Sequence, residues 1–95
     1  MYAAIRRYEG VTDPAEAGRL VNEGFVPLMR QLPGFVAYYW IDAGNGVMIS
    51  TSVFRNQASA EKSVSKAADF VQHNLASLLP NPPQVMAGEV VASGQ

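Results

Sequence analysis

The fold is decided by two stretches of sequence, FVAYYWI at residues 35–41 and VMISTSVF at residues 47–54, which are joined by DAGNG at residues 42–46. Both stretches are rich in aromatic and β-branched residues, which favour strands. The joining segment contains glycine and asparagine, which tolerate the positive φ that a hairpin loop requires. The sequence therefore predicts a central β-hairpin.

The side chains of this hairpin alternate between an odd-numbered and an even-numbered face. A loop of three or five residues places Ile41 opposite the region of Val47, whereas a two-residue Asn45-Gly46 turn changes this pairing. Neither face carries Asp, Glu, Lys or Arg, so neither is a typical solvent face. We predict that the odd-numbered face packs on the helices and that a second copy of the chain covers the other. The predicted homodimer interface consists of Val36, Tyr38, Trp40, Met48 and Phe54.

The residues before the hairpin predict a strand and a helix. Residues 2–9 read as the strand, in which Arg6 and Arg7 point to opposite faces, so that at most one of them can enter an interior cleft. Asp13-Pro14 is a typical helix start. Apolar residues at helical spacing then continue the helix to just before Pro33, with a kink at Pro27.

The residues after the hairpin predict a second helix and a last strand. Asn56 is a suitable helix cap, and Pro80 ends the helix after Leu79. Residues 84–92 read as the strand. The resulting order is that of the ferredoxin-like βαββαβ fold, an α+β architecture with both helices on one face of a four-stranded sheet. We expect one domain over residues 1–95 and a mainly antiparallel sheet, apart from the crossover pairing.

Composition excludes several classes of protein. The 95 residues are 48% hydrophobic and carry a net charge of −1 with no basic stripe, which argues against nucleic acid as a partner. The absence of cysteine excludes disulfides and thiolate metal sites. The carboxylates are scattered, so we expect no metal site and no cofactor. No apolar run is long enough to cross a bilayer, and we expect a cytoplasmic location without membrane association.

Two local motifs flank the hairpin: LPGF at residues 32–35, which enters the second strand, and VFRNQA at residues 53–58, which leads into the second helix. They resemble those of the dimeric α+β barrel proteins, and in particular the antibiotic-biosynthesis-monooxygenase-like family with its heme-degrading relatives. The resemblance covers nearly the whole chain. It implies a homodimer whose sheets pack face to face, and a cleft between helices and sheet that in some members binds an aromatic substrate or heme.

The catalytic patterns of these relatives are incomplete in this chain. The heme-degrading relatives resemble one another in an Asn on the first strand, a Trp on the second helix and a His near its end, of which only His73 is present. The monooxygenase branch often has Trp where this chain has Phe54. On a regular helix His73 projects to solvent, opposite the apolar stripe.

Three functions are compatible with these observations. The first is a homodimer that binds a small hydrophobic or aromatic molecule without catalysis, and the missing polar triad favours it. The second is a cofactor-independent monooxygenase for an aromatic substrate, and the third is a heme-binding or heme-degrading protein. Tyr39, Thr51 and Phe70 are the predicted walls of a ligand pocket on the helix-facing side of the hairpin, with a filled core as the alternative.

Overall fold

The computed structural model describes residues 1–94 and has the element order βαββαβ. The strands are β1 (Tyr2–Tyr8), β2 (Phe35–Gly44), β3 (Val47–Phe54) and β4 (Gln84–Glu89). Two α-helices and a π-helical turn connect β1 to β2: α1 (Pro14–Leu20), the first π-turn (Val21–Phe25) and α2 (Val26–Arg30). One α-helix and a second π-helical turn follow β3: α3 (Gln57–Phe70) and the second π-turn (Val71–Leu75).

The four strands form one sheet in the order β2-β3-β1-β4, and every neighbouring pair is antiparallel. The predicted ferredoxin-like α+β fold is therefore confirmed. The prediction that the strands joined by a crossover pair with each other, as an exception to the antiparallel pattern, is wrong. Each helical crossover joins two strands that have a third strand between them. β3 separates β1 from β2, and β1 separates β3 from β4.

The two helical segments begin where the sequence predicts. The Asp13 carboxylate accepts the backbone N–H of Glu16 at 3.2 Å, and the Asn56 side chain accepts that of Ser59 at 2.9 Å. Each segment changes to π-helical geometry before it ends. Pro27 lies at the start of α2, where its missing N–H costs little.

A two-residue turn closes the hairpin. Asn45 and Gly46 separate β2 from β3 and both have positive φ, 55° and 76°. The pairing is irregular between Asp42 and Gly44 and again between Phe35 and Ala37. Ile41 consequently lies opposite Ile49, so the predicted pairing of Ile41 with the region of Val47 is wrong.

The two faces of the hairpin are the reverse of those predicted. Met48 and Phe54 are 2% and 0% exposed and belong to the core beneath the helices. Tyr38 and Trp40 also face the helices. The Tyr38 ring lies 5.1 Å from that of Phe25 between centroids, and the Trp40 ring lies 5.6 Å from that of Tyr8. The prediction that these four side chains point away from the helices is wrong.

The odd-numbered side chains lie on the open face of the sheet, which no helix covers within residues 1–94. Tyr39 and Ile41 on β2 are 61% and 44% exposed. Val36 is 39% exposed, at the irregularity that also returns Phe35 to the helix side, where its ring meets that of Phe54. The irregularity at Val36 therefore breaks the odd–even alternation at the start of β2.

Small side chains explain why the helices cover the even-numbered face. Ser50 and Ser52 on β3 are buried, and so are Ala60, Ser63 and Ala67 on α3. Because these residues are small, α3 can lie close to the sheet, and it contacts both β3 and β1. The two serines thus accommodate a helix on their own chain.

Within residues 1–94, none of the helices is both long enough and apolar enough to span a membrane.

Truncation of Phe54 tests the assignment of the faces. Phe54 is fully buried, so Phe54→Ala removes a large core side chain and is expected to lower the free energy of unfolding by about 3–5 kcal/mol. Val91 is 94% exposed, and Val91→Ala should change it by less than about 0.5 kcal/mol. Urea unfolding followed by circular dichroism measures both. Equal stability of the two variants would contradict the observed packing.

Candidate functional site

The predicted pocket residues do not lie together. Tyr39 and Thr51 are opposite each other in the β2–β3 pair and share the open face. Phe70, at the end of α3, lies on the helix side of the sheet and contacts Phe25 with 5.2 Å between ring centroids. Tyr39 borders only an edge groove of about 330 Å³ between the first helical segment and β2. Of the three residues, Phe70 alone lines the cleft described next.

The cleft between the helices and the sheet, here called the helix–sheet cleft, has an inner and an outer part. The inner part is about 10 Å³, which is room for about one water molecule. The outer part is about 310 Å³ and opens between α3 and β4. Arg6, Tyr8 and Val71 line both parts. The cleft therefore narrows from an apolar mouth to a small inner end.

Apolar residues form most of the outer part. Val64 on α3 lines this part and is 42% exposed. Ala68, Pro83 and Val85 are further members of this wall. An apolar mouth of this composition suits a flat hydrophobic ligand.

Among residues 1–94, Arg6 is the only charged residue in the lining of either part. It is 5% exposed, and its Nη2 atom has no hydrogen-bond partner within residues 1–94. The other arginine of β1 points to the opposite face, where it forms an ion pair with Glu9. The alternation of β1 thus sends Arg6 into the cleft, and the adjacent RR pair at residues 6 and 7 was the sequence signal for it.

Polar groups from β1, β2 and β3 meet at the inner end. The side chains are those of Tyr8, Tyr38, Trp40 and Ser50. The indole Nε1 of Trp40 is buried and, like Arg6, finds no acceptor among the described residues. Tyr38 and Trp40, predicted from the sequence to lie at a dimer interface, line this cleft instead.

Burial keeps both tyrosines of the inner end protonated. Desolvation raises the pKa of Tyr8, against the opposing effect of the Arg6 charge. Desolvation also raises the pKa of Tyr38 to about 12, and it outweighs the lowering effects of Ser50 and Arg6. Both phenols are therefore hydrogen-bond donors at neutral pH.

The two π-turns lie on either side of the inner end. Val21 and Phe25 line it from the first π-turn, and Val71 and Leu75 line it from the second. Gly24 lets the two segments approach, because a Cβ atom at this position would lie 2.9 Å from the Phe70 ring. π-helical turns occur frequently at functional sites, and here they shape the deepest part of the cleft.

His73 lies outside this site. It is exposed, as predicted, and its Nδ1 is 2.8 Å from the backbone oxygen of Asp69. It lines neither part of the cleft. No group of three metal-ligating side chains occurs among residues 1–94.

Known structures share this architecture. The NE2512 protein of unknown function from Nitrosomonas europaea superposes with a TM-score of 0.77 at 22% identity, covering 99% of this chain and 92% of that one. The ActVA-Orf6 monooxygenase of Streptomyces coelicolor, in complex with nanaomycin D, gives a TM-score of 0.72 at 16% identity, covering 97% of this chain and 92% of that one. A mutant of MhuD with two manganese protoporphyrin IX molecules per active site gives a TM-score of 0.74 at 11% identity, covering 100% of this chain and 99% of that one.

The likeness is one of fold. No family model matches the sequence. No curated protein matches it either. The chain has the ferredoxin-like fold of antibiotic biosynthesis monooxygenase-like proteins, and this part of the predicted resemblance is confirmed.

The raised pKa of Tyr38 predicts a loss of stability at high pH. The unfolded chain releases this proton near pH 10, whereas the folded chain holds it to about pH 12, so unfolding is favoured as the pH rises through this window. Loss of the Tyr38 proton from the unfolded chain should lower the free energy of unfolding by about 1 kcal/mol between about pH 9 and about pH 11. Urea unfolding at both pH values is the measurement.

Tyr38→Phe provides the comparison. In Tyr38→Phe, the decline in the free energy of unfolding that is due to Tyr38 should be absent. The smaller decline due to Tyr8, whose pKa is also raised, should remain. An equal decline in wild type and Tyr38→Phe would mean that the phenol of Tyr38 is not desolvated in the folded protein.

Proposed function

We propose that this protein binds a small planar aromatic molecule in the helix–sheet cleft. The observation that carries the proposal is the shape and lining of the cleft, with an apolar outer part of about 310 Å³ leading to a narrow polar end. This volume is near the lower limit of ligand pockets, which are about 300–1,000 Å³. The aromatic rings would occupy the outer part, and an oxygen substituent would reach the inner end.

A monooxygenase acting on such a molecule is the second candidate function. The observation in its favour is that Tyr8, Tyr38 and Trp40 place hydrogen-bond donors at the inner end, where they can orient a substrate oxygen. In a reaction without a cofactor, a ring CH₂ group becomes C=O. One atom of O₂ enters the product, and the other leaves as water with both hydrogens. The substrate supplies the electrons, and the cleft supplies orientation and exclusion of water.

A heme-dependent role has less support. His73, the sole histidine, is exposed and does not line the cleft. The first strand of this chain has no asparagine, and α3 has no tryptophan. We therefore expect heme to bind weakly and without specificity, and we propose a function that needs no cofactor.

Anthrone is a suitable probe for both candidate functions. It is planar, and its CH₂ group gives anthraquinone on oxygenation. We expect wild type to bind anthrone and, if it is a monooxygenase, to form anthraquinone with one O₂ consumed per product above the spontaneous rate. Ala68 lines the outer part, so Ala68→Phe should fill the mouth and weaken binding at least about tenfold. Fluorescence titration and an oxygen electrode measure the two steps.

Ala58→Phe is the matched control, because Ala58 is exposed on the same helix and lines neither part of the cleft. It should bind as wild type does. Binding without turnover would support the first function and exclude oxygenation of this probe. Equal binding by Ala58→Phe and Ala68→Phe, or no binding by wild type, would contradict a ligand in the cleft.

We also propose that the protein is a homodimer, and a cytoplasmic location stays a prediction. The support is the open face of the sheet, now with its corrected residues: Tyr39, Ile41 and Met86 are 61%, 44% and 62% exposed. Monomers rarely leave large contiguous apolar patches in water. A two-fold contact would bury the open face against its own copy, with Val36 of the predicted interface at its margin.

Charge placed at the centre of the open face tests the dimer. Ile5 on β1 pairs with Thr51 and Met86 on its two sides, so Ile5→Glu would bury two like charges across a two-fold contact. We expect wild type to have twice the chain mass in light scattering at micromolar concentration, and Ile5→Glu to be monomeric. Ala15→Glu, on the exposed side of α1, should remain dimeric. A monomeric wild type would contradict the proposal.

A further inference from the structure

The inner end of the cleft contains two buried atoms without partners, and both are donors. They are Nη2 of Arg6 and Nε1 of Trp40, and neither meets an acceptor within residues 1–94. Buried polar groups are nearly always hydrogen bonded, since an unpaired one keeps its full desolvation penalty. Two unpaired donors at the end of one cleft indicate that the missing partner is an acceptor.

The charge of Arg6 restricts the kind of acceptor. A guanidinium remains protonated in proteins. The Glu9, Glu16 and Glu23 carboxylates pair with Arg7 and Arg19 at the surface, and neither Asp nor Glu lines the cleft. The part of the chain that the structure describes therefore supplies no counter-ion for this buried charge.

We infer that the helix–sheet cleft selects aromatic anions, molecules whose flat apolar ring system carries a carboxylate or phenolate oxygen that pairs with Arg6. This rests on the proposed binding function and specifies its ligand class. The inner part has room for about one oxygen atom. The guanidinium and the indole N–H donate to that oxygen, and the protonated phenols of Tyr8 and Tyr38 are further donors. The rings then lie in the outer part, against Val64 and Val71.

The same arrangement means that Arg6 lowers the stability of the protein when no ligand is bound. The Nη2 atom of Arg6 is desolvated without a compensating hydrogen bond from residues 1–94. Replacement by an apolar side chain of similar length should therefore stabilise the free protein while it removes the recognition of an anion. A purely structural role for Arg6 makes the opposite prediction for stability, so the two explanations can be distinguished.

The experiment compares 2-naphthoate with 2-naphthamide, which has the same rings and a neutral substituent. Isothermal titration calorimetry near neutral pH measures both with wild type, Arg6→Met and Arg7→Met. We expect wild type to bind the acid at least about tenfold more tightly than the amide, because hydrogen bonds to charged groups are the stronger ones. Arg6→Met should bind the two equally, and Arg7→Met, altered on the open face, should keep the wild-type preference.

Thermal unfolding at fixed protein concentration is the second measurement. Arg6→Met should melt at least about 4 °C above wild type, and Arg7→Met should not. An Arg6→Met protein that fails to fold, or that is less stable than wild type, would overturn the inference, since it would show that Arg6 supports the core.

Failure of the inference differs from failure of the proposed function. If wild type binds naphthamide as tightly as naphthoate, or if both arginine variants keep the preference, the cleft binds aromatic molecules without selecting anions. If wild type binds neither compound, both proposals are wrong.

Discussion

The alternation of β3 determines the rest of the structure. Met48, Ser50, Ser52 and Phe54 point to the helices, and through the antiparallel pairing this choice fixes the faces of β1 and of most of β2. A shift by one residue would exchange every side chain between core and open face. The irregularities at Val36 and Ala43 confine the disturbance to the ends of β2, so its centre keeps the register of β3.

The helix–sheet cleft follows from that choice and from the two π-turns. β1 is a central strand, and its even-numbered side chains place Arg6 and Tyr8 beneath the helices, where a filled core would be expected. The π-turns line the inner end of the cleft next to these residues, and Gly24 allows the segments to approach at the Phe70 ring. The fold thus keeps a charged side chain at low exposure, with neither Asp nor Glu in the lining of the cleft among residues 1–94.

The two faces of the sheet differ in what they contain. The helix side contains the cleft, and the open face contains the exposed apolar patch that a second copy can cover. The alternation of β1 divides its adjacent arginines between them, with Arg6 in the cleft and Arg7 paired to Glu9 on the other side. The sheet therefore separates the side chains of the cleft from those of the open face.

The sequence by itself determined the element order, the helix starts at Asp13 and Asn56, and the hairpin, because these depend on local backbone preferences and short-range hydrogen bonds. It also indicated that at most one of Arg6 and Arg7 can enter an interior cleft. Only the tertiary structure decided which face of the hairpin the helices cover. Neither face carries a charge to distinguish it, and the outcome depends on the fit of small side chains between α3 and β3 and on irregular strand positions, which are properties of packing rather than of local sequence.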